Sequence, residues 1–250
     1  MIEYKSDNEV QLMRESGRIT GQTLDLLART VQPGMTTGEL DRLAEDFIRK
    51  QGAVPAFKGY RGFPKTVCIS VNDEVVHGIP GNRKLKDGDI VGFDMGVIWK
   101  GWYSDSARTV AVGRIEDKAQ RLLEVTRESL FKGIEKCLAG GHLYDISNAV
   151  QNHVEGHGYS VVRDLVGHGI GRNLHEEPQV PNYGPAGHGP KLRTGLVLAI
   201  EPMVNYGTHK VLMKRDNWTI VTEDGSLSAH FEHTVAITKN GPIILTLPDD

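Results

Sequence analysis

The sequence predicts an α+β fold in which helices cover a curved, mainly antiparallel sheet made of two pseudo-symmetric halves. Helical periodicities alternate with short apolar runs along the chain. A helix-then-strand pattern recurs at a spacing near half the length. A two-residue turn, Lys100-Gly101, sits between two strand-like runs and makes them an antiparallel hairpin.

The first element is a helix starting near Ser6, with Glu9 at the capping-box position, and ending before Pro33. The first repeat opens at Gly34. Thr36 and Glu39 form a second capping-box signal, and Leu40, Leu43, Ala44, Phe47 and Ile48 have the spacing of one helix face before Gly52. Lys84–Val97, KLKDGDIVGFDMGV, then reads as a turn feeding an apolar strand, and SDSARTVAV follows as its partner. A helix is expected from about Asp117 to Leu138. The second repeat begins with a helix between Gly140 and Gly158, with Asp145 in its first turn and Ile146, Ala149, Val150 and Val154 on one face. Lys191–Val204, KLRTGLVLAIEPMV, matches KLKDGDIVGFDMGV at its lysine, leucine, glycine and final valine, so Asp94 falls on Glu201. FEHTVAI is the second strand of this half. The expected organisation is a single domain over residues 1–250, with repeats at approximately 34–112 and 140–238.

Bulk properties exclude several classes. Lys plus Arg total 29 against 32 Asp plus Glu, a net charge of −3, so the basic excess of a nucleic-acid binder is missing. No apolar run approaches the length of a membrane span. The polar start MIEYKSDNEV is not a secretory signal, and two cysteines cannot make a disulfide framework. The expectation is a cytoplasmic protein, and no feature demands an oligomer, so a monomer is expected.

Four acids carry the chemistry. The Lys100-Gly101 turn sets Trp99 opposite Trp102 and Gly96 opposite Asp105, so Asp94 and Asp105 share a face as diagonal neighbours roughly 7–8 Å apart. Ile90, Val91, Phe93, Met95, Val97 and Ile98 suggest a strand apolar on both faces, where a carboxylate needs a partner. Glu201, ending LVLAI, and Glu232, preceding TVAI, pose the same problem. Four acids in largely apolar strands, with no matching lysine or arginine, favour bound metal over buried ion pairs. His168 and His175, in the glycine-rich turn LVGHGIGRNLHEEP, and His77, in VVHGIP, are candidate functional histidines; the other seven, including His233, are assigned to surface or packing. GHGIG lacks the full phosphate-loop patterns and is not read as a nucleotide site.

With HGIP and GHGIGRNLHEEPQV, the set Asp94, Asp105, His168, Glu201 and Glu232 resembles the type I methionine aminopeptidases over essentially the whole chain. The ligand set is shared across the pita-bread metallopeptidases, including proline-specific relatives; FPKTVCISVNDEVVHGIP and the short length favour the methionine branch. The resemblance implies a pita-bread fold holding two divalent ions, with cobalt, manganese, iron or zinc all compatible with the donors. It implies that Asp94 binds one ion, Asp105 and Glu232 bridge, and His168 and Glu201 complete the second. A water between the ions would attack the peptide carbonyl, removing methionine from nascent polypeptide N-termini, with the ribosome as the expected place of encounter. Glu201 would shuttle the proton, His175 would stabilise the oxyanion, and His77 would contact the scissile nitrogen. Phe57, Tyr60, Phe63, His77, Leu174, His175 and Trp218 would bind the substrate, and Leu174 and Phe57 depart from the residues many relatives carry. The weighed alternatives are a same-fold aminopeptidase acting before proline and a non-catalytic binding protein.

Overall fold

The computed structural model describes residues 1–248. Four helices cover the strands: α1 (Asp7–Thr30), α2 (Thr37–Lys50), α3 (Asp117–Ile134) and α4 (Leu143–Gly156). Both capping boxes form. Ser6 and Thr36 accept from the backbone of Glu9 and Glu39, whose carboxylates accept from the cap nitrogens in return. Helix α3 is shorter than its periodicity predicts. After Ile134 the chain leaves the helix so that Gly140 and Gly141 can exchange hydrogen bonds with Leu192, which leaves Leu138 half exposed.

The main sheet has nine strands: β1 (Val54–Pro55), β2 (Cys68–Val71), β3 (Ile90–Trp99), β4 (Trp102–Ala111), β5 (Gly167–Gly169), β6 (Glu176–Val180), β7 (Val197–Ile200), β8 (Glu232–Thr238) and β9 (Gly241–Ile244). Their order is β1-β3-β4-β8-β7-β5-β6, with β2 also on β3 and β9 also on β8, and every pairing is antiparallel. The β3–β4 hairpin has the predicted register, Trp99 against Trp102 and Gly96 against Asp105. Lys100 and Gly101 take φ of 49° and 78°, the left-handed pair of a tight hairpin turn. On β3, Val91, Phe93, Met95 and Val97 point into a core shared with Leu24, Leu27, Leu40 and Ile48 of α1 and α2. The opposite face is apolar at its ends, Ile90 and Ile98, as expected, but its middle is lined by Gly92, Asp94 and Gly96. A Cβ on Gly96 would sit 3.1 Å from the Phe57 ring, so this glycine admits that ring beside Asp94. Helices α3 and α4 pack the second half in the same manner, with Leu122, Leu130, Ile146 and Val150 against Leu198, Ile200 and Val235.

The two halves repeat one another down to single hydrogen bonds. Gly34 N donates to Leu85 O and Leu85 N to Met35 O; Gly140 N donates to Leu192 O and Leu192 N to Gly141 O. Isolated bridges join Thr36 to Lys84 and His142 to Lys191. The halves meet in the sheet along β4 and β8, through only two residue pairs, Ala107 with Glu232 and Ser106 with His233. Hydroxyls extend this seam. Thr234 Oγ1 donates to Asp105 O and accepts from Asp105 N, while Thr109 Oγ1 donates to His230 O and accepts from His230 N.

Candidate active site

The seam sets the acids in a row. Asp94 lies opposite Ala107, Ala107 opposite Glu232, and Glu201 directly follows Ile200, the partner of His233. Asp105, two residues before Ala107, projects from the same face. Asp105, His168 and Glu232 each present a ligand atom within 4.8 Å of the others. His168 Nε2 is 3.8 Å from Asp105 Oδ2 and 3.7 Å from Glu201 Oε1.

His168 occupies a strand of the sheet, not the loop its glycines suggest. Those glycines serve close approach on both sides: a Cβ on Gly167 would lie 2.4 Å from Ala199 O, and one on Gly169 2.3 Å from Glu177 O. Its Nδ1 is 2.9 Å from Gly169 O. A carbonyl only accepts, so Nδ1 carries the ring proton and Nε2 offers a lone pair to the acids. Burial lowers the His168 pKa to about 4, which keeps that lone pair free.

These groups fit a divalent cation. Asp105 Oδ1 and Glu232 Oε1 are buried with no hydrogen-bond partner, an arrangement that costs free energy unless a cation or proton meets them. Burial raises the Asp94 pKa to about 7, and burial, then the neighbouring Asp94, raises that of Asp105 well above the usual carboxylate range. Glu201 and Glu232 are raised by burial first and then by the adjacent acids. Arg61, at the rim beside Tyr60, is the one cationic side chain lining the cavity. Oxygen donors with a single imidazole suit a first-row or similar divalent ion.

A stability test follows from the sign of these shifts. Carboxylates whose folded pKa values lie above the unfolded ones bind extra protons in the folded state and lower stability as pH rises, whereas the buried histidines His168, His175, His230 and His233, held at about 3–4, give the opposite slope up to about pH 6.5, so the net fall in stability lies above about pH 6.5. Calorimetry of chelated protein is expected to give a lower Tm at about pH 8 than at about pH 6.5. Added divalent cation, replacing the protons, should shrink that gap. A chelated protein with no such pH dependence would contradict the raised pKa values.

The cavity brings together every residue expected at the site: Phe57, Tyr60, Phe63, His77, Leu174, His175 and Trp218 line it with the five proposed ligands. Phe63 meets Trp218 edge to face at 5.1 Å between centroids, and His77 meets the same indole at 6.4 Å. Phe57, Phe63 and Leu174 are buried, so the pocket beside the acids is apolar. His175 stacks on Tyr60 and lies 4.2 Å from the His168 ring. Tyr60 Oη is 2.9 Å from His175 Nδ1. Desolvation, then His168, Arg61 and His77, lower the His175 pKa to about 3, so it stays neutral. The adjoining Glu176 forms a buried ion pair with Lys5, which fixes the loop carrying His175.

Sequence reading missed Cys68, Arg61 and His230. Cys68 lines the cavity and pairs in register with Asp94. His230, assigned to surface or packing, is 3% exposed, and its Nε2 lies 3.6 Å from Glu201 Oε2. Burial, then His77, lowers its pKa to about 3. The signal was present: aligning the TVA of both halves sets Thr109 on Thr234 and hence Asp105 on His230. His233, by contrast, is partly buried behind the seam, its Nδ1 2.8 Å from Thr246 Oγ1, as a packing residue.

Residues 11–239 match the model of metallopeptidase family M24. Methionine aminopeptidase of Clostridium perfringens is 59% identical over 247 residues, covering 99% of each chain. Methionine aminopeptidase 1 of Bacillus subtilis is 54% identical over 98% of this chain and 99% of its own. The crystal structure of methionine aminopeptidase from Rickettsia prowazekii superposes with a TM-score of 0.98 at 44% identity, covering 99% of this chain and 100% of that one. No described helix is long and apolar enough to cross a membrane.

Proposed function

The chain belongs to metallopeptidase family M24, has its pita-bread fold, and from that premise we propose that it removes the initiator methionine from nascent polypeptides whose second residue is small. The observation that supports this reading most is the convergence of four carboxylates, Asp105 and Glu232 buried and Asp94 and Glu201 partly buried, with one neutral imidazole at the end of an apolar cavity. Asp94, Asp105, His168, Glu201 and Glu232 would hold two divalent cations, which supply an activated water and a polarised carbonyl.

The residues of the chain do the rest. Phe57, Phe63, Leu174 and Trp218 enclose the methionine side chain, whose thioether makes favourable contacts with aromatic edges. When Tyr60 donates to His175 Nδ1, the ring proton sits on Nε2, free to donate to the oxygen that gains charge in the transition state. His77, near Trp218, contacts the scissile nitrogen, and Glu201 carries the proton from water toward the leaving amine. The proposed setting is the cytoplasm, where a monomer meets chain ends as they are made.

Peptides of the type Met-Ala-Ser are expected to be cleaved, and Leu-Ala-Ser more slowly, since one methylene-scale change in an apolar pocket is worth about 1–3 kcal/mol. Equal rates on Met-, Lys- and Glu-first peptides would overturn the apolar pocket. Preference for Xaa-Pro peptides would favour a proline-directed enzyme instead.

The protein's own start offers another test. Ile2 is β-branched and packs on the second-half core, so untagged protein is expected to keep Met1, while Ile2→Ala should lose it during synthesis. Intact-mass measurement distinguishes the two, and efficient loss of Met1 from the unmodified chain would contradict confinement of the second residue.

A further inference from the structure

We propose that His230 is a positioning residue for Glu201, donating its Nε2–H to Glu201 Oε2 so that Oε1 is presented toward His168 and the cation. The proposal rests on the metallopeptidase reading above and extends it to a residue outside the cavity lining.

The argument starts at the seam. Thr109 and Thr234 are equivalent in the two halves, and each clamps the strand across the seam by one donated and one accepted hydrogen bond. Thr234 clamps Asp105 and Thr109 clamps His230, so His230 occupies in the second half the position that Asp105 holds in the first. Asp105 is aimed at the shared cluster of acids. The pseudo-symmetry therefore aims His230 at the same place from the other side, and its Nε2 reaches Glu201 there.

Chemistry decides what a residue in that place does. Glu201 is flanked on both oxygens, by His168 Nε2 at 3.7 Å from Oε1 and His230 Nε2 at 3.6 Å from Oε2. His168 has its proton on Nδ1, so its Nε2 cannot donate to Glu201; the two would instead be ligands to a cation. His230 Nε2 is buried with no hydrogen-bond partner, and a buried ring nitrogen left unpaired is costly. A neutral imidazole carries one N–H. Glu201 Oε2 is its nearby acceptor, reached by closing a few tenths of an ångström to ordinary hydrogen-bond length. Carboxylates that bind metals are held in this way by a second partner, and losing such a partner typically costs roughly 10–100-fold in metal affinity or activity.

The test compares His230→Leu, which fills the space without a donor, with His230→Gln, whose amide can donate to the same oxygen. Manganese titration of wild-type protein by calorimetry comes first; it tests the reading on which this rests, independently of position 230. His230→Leu is expected to weaken one cation site and to lower kcat roughly 10–100-fold with KM nearly unchanged. His230→Gln should recover most of both losses. Wild-type cation affinity and kcat in His230→Leu would overturn the proposal, as would Gln and Leu variants impaired alike. Should His230→Leu fail to fold, nitrogen NMR of histidine-labelled, zinc-loaded wild-type protein decides: a proton on Nε2 of His230 supports the donor role, and a proton on Nδ1 removes it.

Discussion

Glu232→Ala and His168→Ala are each expected to lose turnover by roughly a thousandfold or more. Lewis-acid stabilisation by bound metal is worth several kcal/mol in a transition state, and each ~1.4 kcal/mol is a factor of ten in rate. Glu232 stands at the middle of the row of acids, against Ala107 and next to Glu201, so its removal strips a ligand from the centre of the cluster. His168 supplies its one imidazole lone pair directed at both Asp105 and Glu201. Neither substitution should unfold the protein, since Glu232 Oε1 has no hydrogen-bond partner to lose and His168 gives up only its bond from Nδ1 to the adjoining Gly169 carbonyl. Steady-state kinetics with metal analysis on the same preparations checks this. A variant keeping close to wild-type kcat would mean the ligand set is wrong, and so would activity that persists in fully chelated wild-type protein.

His175→Ala separates chemistry from metal binding. The ring sits on Tyr60 and beside His168, near the ligands without belonging to the acid row. If it donates to the developing oxyanion, its contact strengthens only in the transition state, so kcat should fall more than KM rises. Loss of one such donor costs a factor on the order of 10²–10³ in kcat. Metal content should equal that of wild type. A variant that lost a cation would make His175 a ligand, and one with only a raised KM would make it a binding residue.

Local features of the fold were legible in the sequence because their causes are local. Ser6 with Glu9, and Thr36 with Glu39, set helix starts through contacts three residues apart, and Lys100-Gly101 fixed the hairpin register by requiring two positive φ angles. That register alone put Asp94 and Asp105 on one face. What depends on distant chain segments was harder to see. His168 looked like a loop residue because its glycines answer to Ala199 and Glu177 backbone, which no local pattern reveals. The acids looked buried among apolar side chains on both faces, whereas Gly92 and Gly96 clear their face for the cavity. His230 escaped because the two acid-bearing strands were matched without fixing their offset; the shared TVA fixes it, and the threonine clamps bear out that Asp105 corresponds to His230 and Glu232 to Ala107.

The short ladder between β4 and β8 gives the bound ions a mechanical part to play. Asp94 and Asp105 belong to one half of the sheet; His168, Glu201 and Glu232 belong to the other, and only two backbone pairs join them there. Cations held by both sets would act as rivets across this two-pair junction. Their binding free energy is added to the cohesion of the halves in proportion to the logarithm of free metal over its dissociation constant. Free metal concentration would then set how often the sheet opens at its middle as well as how fast the enzyme turns over. A starved molecule would breathe first at Ser106 and His233, where amide exchange and proteases find partly opened protein.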